Sequence, residues 1–318
     1  MRPVSKQVAV TGSVAFDTIM VFPGRFGEHI LPDKTHLINV SFLVDRLEKR
    51  RGGTAANIAY TLALHGESPL LCAAVGSDFG SYDDALRDAG VDTSAALRCD
   101  DVLCAGAFIT TDLDDNQITA FFPGAMGRGG QVDLGAVASR ADTVVVSPDA
   151  PDGMERHVAQ ARELGARLVF VPAQQIPSLS DAALRAGLDA AWLVVGNDYE
   201  LELIRSRTGV SADDLRRRGA LVALTRGGEG SELHGPDGVV RVPVAPPRAV
   251  VDPTGAGDAY AAGLLAALRR GLPLDAAGRV AALSATYAVE QQGPQSHAFT
   301  PASFAERYAE AFGAALPG

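Results

Sequence analysis

Lysine is scarce in this 318-residue sequence: Lys6, Lys34 and Lys49 are the only three, and none of them follows a glycine. A Walker A loop needs Gly-Lys followed by Ser or Thr, so that way of holding a nucleotide is excluded. Cysteine is equally sparse. Cys72, Cys99 and Cys104 form an odd set with no Cys-x-x-Cys pair, which argues against a disulfide framework or a zinc site. No apolar run approaches the ~18 residues of a membrane span, and Met1–Gln7 lacks the apolar core of a signal peptide. A cytoplasmic protein with no membrane partner is the expectation. Positive charge is also in deficit, with 28 Lys and Arg against 38 Asp and Glu, a net charge of −10. An acidic surface repels polynucleotide phosphates, so no nucleic-acid partner is expected.

What the sequence does have is a recurring apolar rhythm. Short runs at Val8–Val10, Leu70–Val75, Thr143–Val146, Leu168–Val171, Leu193–Val195 and Leu221–Leu224 are continuously apolar, as in parallel strands covered on both faces. Between them lie helical stretches such as Ala55–His65, Gly153–Leu164 and Ala256–Arg270. The alternation predicts an α/β fold with a mainly parallel sheet. Two segments break the rhythm. Residues 14–45 are extended and interrupted at Pro23-Gly24 and Pro32-Asp33, and residues 105–122 read as a hairpin turning at Asp112–Asn116. Antiparallel strands inserted in a parallel domain form a small accessory layer or lid. Their edges invite pairing, so homodimerisation through residues 14–45 or 105–125 is expected.

The chemistry concentrates in two glycine clusters. Asp252-Pro253-Thr254-Gly255-Ala256-Gly257-Asp258 follows the extended run Val239–Val251 and opens the helix through Arg270. Tyr260 occupies the third glycine position of a G-x-G-x-x-G fingerprint, so a Rossmann dinucleotide site is not expected. The free N–H groups of a helix start can cradle an anion. Asp258 in that first turn is the wrong group to hold phosphate. It suits a base that takes a proton from a hydroxyl attacking beside the phosphate, although carboxylates also commonly cap helix starts. The second cluster, Gly52-Gly53-Thr54-Ala55-Ala56-Asn57, opens the helix Ala55–His65 and offers Asn57 as a two-sided hydrogen-bonding group.

Together these clusters resemble the two signatures of the PfkB, or ribokinase-like, family of sugar and nucleoside kinases. Gly12-Ser13-Val14-Ala15-Phe16-Asp17, Asn197-Asp198-Tyr199-Glu200 and Thr225-Arg226-Gly227-Gly228-Glu229-Gly230 are similar to three further family elements in the same order. Within the family, Phe22–Phe26, His36–Leu43, Thr110–Asp112, Phe121–Met126 and Gln292–Gln295 resemble the adenosine and nucleoside kinases. The resemblance implies a ribokinase-like fold. A large α/β nucleotide-binding domain would take residues 1–13, 46–104 and 126–318, and a discontinuous β-rich lid residues 14–45 and 105–125.

Residue by residue, the resemblance implies Asp258 as the base and Gly255, Ala256 and Gly257 as an anion hole for the transferring phosphoryl group. Asp17 would grip two ribose hydroxyls, with Ser13, Gly52, Gly53 and Asn57 alongside. Phe108 and Phe121 correspond to lid aromatics that flank a nucleobase, or equally to alternating residues of a hairpin. Gln174 and Gln175 would reach the base edge, or simply tolerate solvent. For the ATP site the resemblance implies Asn197, Thr225, Gly227, Gly228 and Gly230. Asn197 and Glu200 would organise Mg²⁺ through water, and Asp252 and Thr254 would hold part of a monovalent cation site for K⁺. Val171 stands where relatives commonly carry an aspartate. The implied activity is ATP-dependent phosphorylation of the 5′-hydroxyl of a ribonucleoside, adenosine first. The alternatives are a ribose- or fructose-type sugar kinase of the same family, or a catalytically silent nucleoside-binding module.

Overall fold

Valine-, leucine- and alanine-rich runs can bury both faces only inside a sheet covered on both sides, and they do so here. The computed structural model describes residues 6–29 and 39–317. Pro32-Asp33, and residues 36–38 of the segment His36–Leu43, lie outside the described residues. The strands in chain order are β1 (Gln7–Thr11), β2 (Ala15–Val21), β3 (Arg46–Gly52), β4 (Leu70–Cys72), β5 (Ala74–Gly76), β6 (Leu97–Cys99) and β7 (Ala105–Thr111). They continue as β8 (Gln117–Phe122), β9 (Ala141–Val146), β10 (Arg167–Phe170), β11 (Ala191–Asn197), β12 (Leu221–Thr225), β13 (Ser231–Gly235) and β14 (Gly238–Val242). The helices are α1 (Phe26–His29), α2 (Thr54–Leu64), α3 (Gly80–Asp88), α4 (Pro151–Glu163) and α5 (Asp181–Ala190). After them come α6 (Asp198–Thr208), α7 (Ala212–Arg217), α8 (Ala256–Arg269), α9 (Leu274–Val289) and α10 (Pro301–Phe312).

The main sheet has eight strands in the order β14-β13-β12-β11-β10-β9-β1-β4. From β12 to β4 every neighbouring pair is parallel, and β13 and β14 add an antiparallel edge. Successive residues of each strand enter opposite layers, because strand side chains alternate. Val8 and Val10 join Ile58 and Leu62 of α2 and the small residues of α8 and α9 in one core. Ala9 joins Met154 and Val158 of α4 and Leu184 and Leu188 of α5 in the other. This is the ribokinase-like α/β layering expected. All three cysteines are free and buried. Among the described residues no helix is long and apolar enough to cross a membrane.

A second sheet of four strands, ordered β3-β2-β7-β8, stands beside the main one. Its β7–β8 hairpin is the one read at residues 105–122. Asp112 shapes the turn by accepting from the amides of Phe26, Asp114 and Asn116. The sequence division placed residues 46–52 in the large part, whereas β3 pairs along its whole length with β2 in the small sheet. Its alternating Arg46, Glu48 and Arg50 carried no apolar signal of a sheet.

Two strand readings also need correction. The run Leu70–Val75 is two strands: β4 stays in the main sheet, while β5 turns away at Ala73 to pair with β6. The run Val239–Val251 is a strand only to Val242. Pro243, Pro246 and Pro247 remove the amides that would extend it.

The chain crosses from the small sheet into α2 at Gly53, whose φ is 94°. A Cβ there would lie 2.6 Å from the Ser13 carbonyl oxygen and 2.7 Å from the Ala15 nitrogen. Gly53→Ala should therefore cost about 1–3 kcal/mol from backbone strain alone. A urea-unfolding midpoint equal to that of the unaltered protein would contradict this close crossing.

Candidate active site

In an open α/β sheet ligands bind beyond the carboxyl ends of the parallel strands. Here that edge faces the small sheet across a cavity of about 710 Å³, within the usual range for a small-molecule site. The strand ends supply Ser13, Pro148, Val171, Asn197 and Thr225, the small sheet supplies Ala15, Asp17 and Phe121, and the helix starts supply Thr54, Asn57, Gly255, Gly257 and Asp258.

α8 begins at Gly255, whose left-handed φ of 79° no larger residue takes easily. A Cβ there would also meet Pro294 at 2.4 Å. Asp258 sits in the first turn and lines the cavity. Burial pushes its carboxyl up to about 7, opposed by a hydrogen bond from Asn57 and reinforced by the negative charge of Glu200. Asn57 Nδ2 donates to Asp258 Oδ2 at 2.8 Å. This bond ties the two glycine-rich helix starts together. One expected member of the anion hole departs from the reading: the Ala256 amide donates to the Pro253 carbonyl at 3.2 Å, and Ala256 does not line the cavity. The α8 turn consumes that donor, so the cavity wall here is formed by Gly255 and Gly257.

Asp17 projects from β2, opposite Arg50 of β3 and Ala107 of β7. Burial raises its pKa, Arg50 opposes the rise and Asp252 adds to it. Gly52 abuts the Asp17 carboxylate. Ser13 is spent on architecture: its Oγ accepts from the Thr54 amide at 3.1 Å and meets Thr54 Oγ1 at 3.2 Å. The hydroxyl of Thr54, a member of the second glycine cluster, also meets Ser147 Oγ and so pins α2 to the end of β9.

The strand pleat separates the two expected aromatics. Ala107 pairs with Phe121 and also with Asp17, so these three share the cavity face. Phe108 pairs with Thr18 and Ala120 and points to the other face. The assignment of Phe108 to the nucleobase is therefore corrected; only Phe121 faces the cavity. Gln174 and Gln175 both line it, on the turn after β10. Gln175 Nε2 donates to the Asp149 carbonyl, while Gln174 is exposed to the cavity.

At the other end, Asn197 and Glu200 form a reciprocal cap on α6. Asn197 Oδ1 accepts the Glu200 amide at 2.8 Å, and Glu200 Oε2 accepts the Asn197 amide at 2.9 Å. Burial raises the Glu200 pKa, and the Asn197 amide opposes that rise. Oε1 stands outside this box. No three His, Cys, Asp or Glu side chains converge on a metal position among the described residues. The pair fits a hydrated Mg²⁺ held mainly by phosphates and water, not a closed protein cage. Thr225, the last residue of β12, reaches the cavity, while Gly227, Gly228 and Gly230 of the following turn do not line it.

The residues read as a K⁺ site do not fit a cation in this arrangement. Asp252 Oδ1 accepts the Thr254 amide at 2.9 Å. Its Oδ2 takes the Gly293 amide at 3.0 Å and Arg50 Nη1 at 3.3 Å. A guanidinium already supplies the positive charge there, and nothing in the sequence singled out Arg50.

Comparison with known proteins agrees with this architecture. Residues 10–301 match the pfkB family carbohydrate kinase domain. The nucleoside kinase of Methanothermobacter thermautotrophicus is 33% identical over 297 residues, 92% of each chain. An ATP-dependent ribose-1-phosphate kinase of Halopiger xanaduensis is 31% identical over 222 residues, 68% of this chain and 72% of that one. Among solved structures, the Burkholderia thailandensis nucleoside kinase in complex with inosine superposes with a TM-score of 0.86 at 37% identity, covering 98% of this chain and 100% of that one. The same enzyme in complex with ADP-inosine gives 0.85 at 39% identity, covering 98% of both chains. With the layered sheet, the paired glycine-rich helix starts and the family match in agreement, the chain belongs to the pfkB family of carbohydrate kinases.

Proposed function

We propose that this kinase transfers the γ-phosphoryl group of ATP to the 5′-hydroxyl of a ribonucleoside, with adenosine the leading substrate. The observation that carries the reading is Asp258, a carboxylate with a pKa near 7 beside the open start of α8. Phosphoryl transfer asks mainly for positioning and charge stabilisation. Asp17 accepts the ribose hydroxyls and holds the 5′-oxygen toward Asp258, which takes its proton as the oxygen attacks. Amides at the α8 start receive the charge spread over the transferring oxygens. When bound, Mg²⁺ neutralises the phosphate oxygens, with Glu200 and Asn197 orienting its waters.

The relatives support a nucleoside over a free sugar, and the cavity's charge favours a neutral acceptor. Asp17, Glu200 and Asp258 line it, and no Lys, Arg or His does so among the described residues. A ribose phosphate would bring a second dianion among these carboxylates without a basic partner. Phe121 offers a face to the base, and the amide of Gln174 supplies both donor and acceptor.

A panel of adenosine, inosine, cytidine, ribose and ribose 1-phosphate, read by phosphate transfer from ATP, tests the substrate class. Purine ribonucleosides should be turned over best, with the product a 5′-monophosphate. A preference for ribose or ribose 1-phosphate would overturn the nucleoside reading, and nucleoside binding without ATP consumption would make the protein a silent binder.

Asp258→Asn should lower turnover by about 10²–10⁴-fold while ATP binding persists and the unfolding midpoint at neutral pH does not fall, because the variant removes a buried charge that opposes folding. The base works ionised, so kcat/KM of the unaltered protein should rise with pH along an acidic limb centred near 7 and then level off. Near-normal turnover of the variant would remove Asp258 as the base.

The homodimer reading is supported by the outward face of the small sheet, where Leu47, Phe108, Ile118 and Phe122 are exposed. A solution mass of twice 33.0 kDa is expected at micromolar concentration. A monomeric mass would contradict it.

A further inference from the structure

The hydrogen bond from Asn57 to Asp258 depends on which end of an amide faces the carboxylate, and Asn57 does not settle that alone. A chain of buried hydrogen bonds does. Tyr82, fully buried on α3, donates its hydroxyl proton to the Gly52 carbonyl at 2.8 Å. Its oxygen can then only accept from its other neighbour, Gln295, and the group there is Gln295 Nε2 at 2.5 Å. The second proton of that Nε2 goes to Asn57 Oδ1 at 2.8 Å. With Oδ1 committed, Nδ2 of Asn57 is the end left for Asp258. A main-chain carbonyl cannot reverse its polarity, so the direction of every bond in the series follows from Gly52.

We propose that Gln295 and Tyr82 are positioning residues for the reaction: they lock the Asn57 amide with its donor toward Asp258. The inference rests on the reading of Asp258 as the base. Gln295 is well placed for this role because its segment touches the site at three points. Gly293 donates to Asp252, Pro294 packs against Gly255, and Gln295 holds Asn57. The charged group facing Asp258 from α6 is Glu200, whose carboxylate opposes ionisation. From the small sheet, Arg51 and Asp17 lie near Tyr82 with opposite effects. Neither Gln295 nor Tyr82 lines the main cavity.

Gln295→Glu is nearly isosteric and removes both donors. Asn57 then does best by turning Nδ2 toward the introduced carboxylate and Oδ1 toward Asp258, which replaces a donor with a repelling oxygen. Asp258 should titrate about one pH unit or more higher, followed by ¹³C carboxyl shifts in aspartate-labelled protein. Turnover should fall about tenfold at pH 6 and approach normal rates at pH 9. Tyr82→Phe, which keeps the packing but frees Gln295 to turn over, should move the same midpoint upward by less. An Asp258 midpoint unchanged in both folded variants would overturn the inference, as would a loss of turnover equal at every pH. A midpoint that moves without any response in the rate would support the lock while removing Asp258 as the base.

Discussion

The bond between Asn57 and Asp258 joins two helix starts that lie 201 residues apart in the chain, and the site is organised around it. Asp258 sits where burial opposes its charge, with Glu200 adding to the opposition and the Asn57 amide stabilising the ionised form. Such an arrangement weakens the fold. A carboxyl whose pKa is raised in the native state loses stability as pH climbs from its ordinary range to about 7, and that loss persists above it. The same opposition makes the carboxylate a useful proton acceptor near neutral pH. α2 and α8 pack in one core beneath this bond, and the burial of that core offsets the cost.

The cavity exists because the chain leaves the main sheet and returns toward it at nearly the same place. After β1 it passes through Ser13 into β2, and after β3 it returns through Gly53 into α2. The Ala55 amide donates to the Ser13 carbonyl at 3.1 Å where these passages cross. The small sheet is thereby held over the carboxyl edge of the main one, with Asp17 and Phe121 on the facing side. On the proposed reading the substrate bridges the two sheets, one carboxylate holding its ribose and the other accepting its proton.

Much of this was legible in the sequence because it is local. Continuous apolar runs marked β1, β9, β10, β11 and β12, and the two glycine clusters marked α2 and α8 together with Asn57 and Asp258. What escaped depended on partners distant in the chain or on the pleat. β3 is charged and alternates only in accessibility, so nothing announced its place in the small sheet. Phe108 and Phe121 look equivalent until the register of β7 and β8 turns one away. The expectation of a cation at Asp252 was changed by Arg50, and the Ala256 amide was claimed by its own turn. Tyr82 and Gln295 are separated from Asn57 by 25 and 238 positions respectively, and only the folded chain brings the three together.

On the proposed reading, one bound nucleoside has its ribose on Asp17 and its 5′-oxygen beside Asp258. A crystal structure with adenosine or inosine and a non-hydrolysable ATP analogue measures that directly. The ribose hydroxyls should lie on the Asp17 carboxylate and the 5′-oxygen about 2.6–3.2 Å from a carboxylate oxygen of Asp258, in line with the γ-phosphorus. A nucleoside seated with its 5′-oxygen away from Asp258, or with its ribose off Asp17, would contradict it.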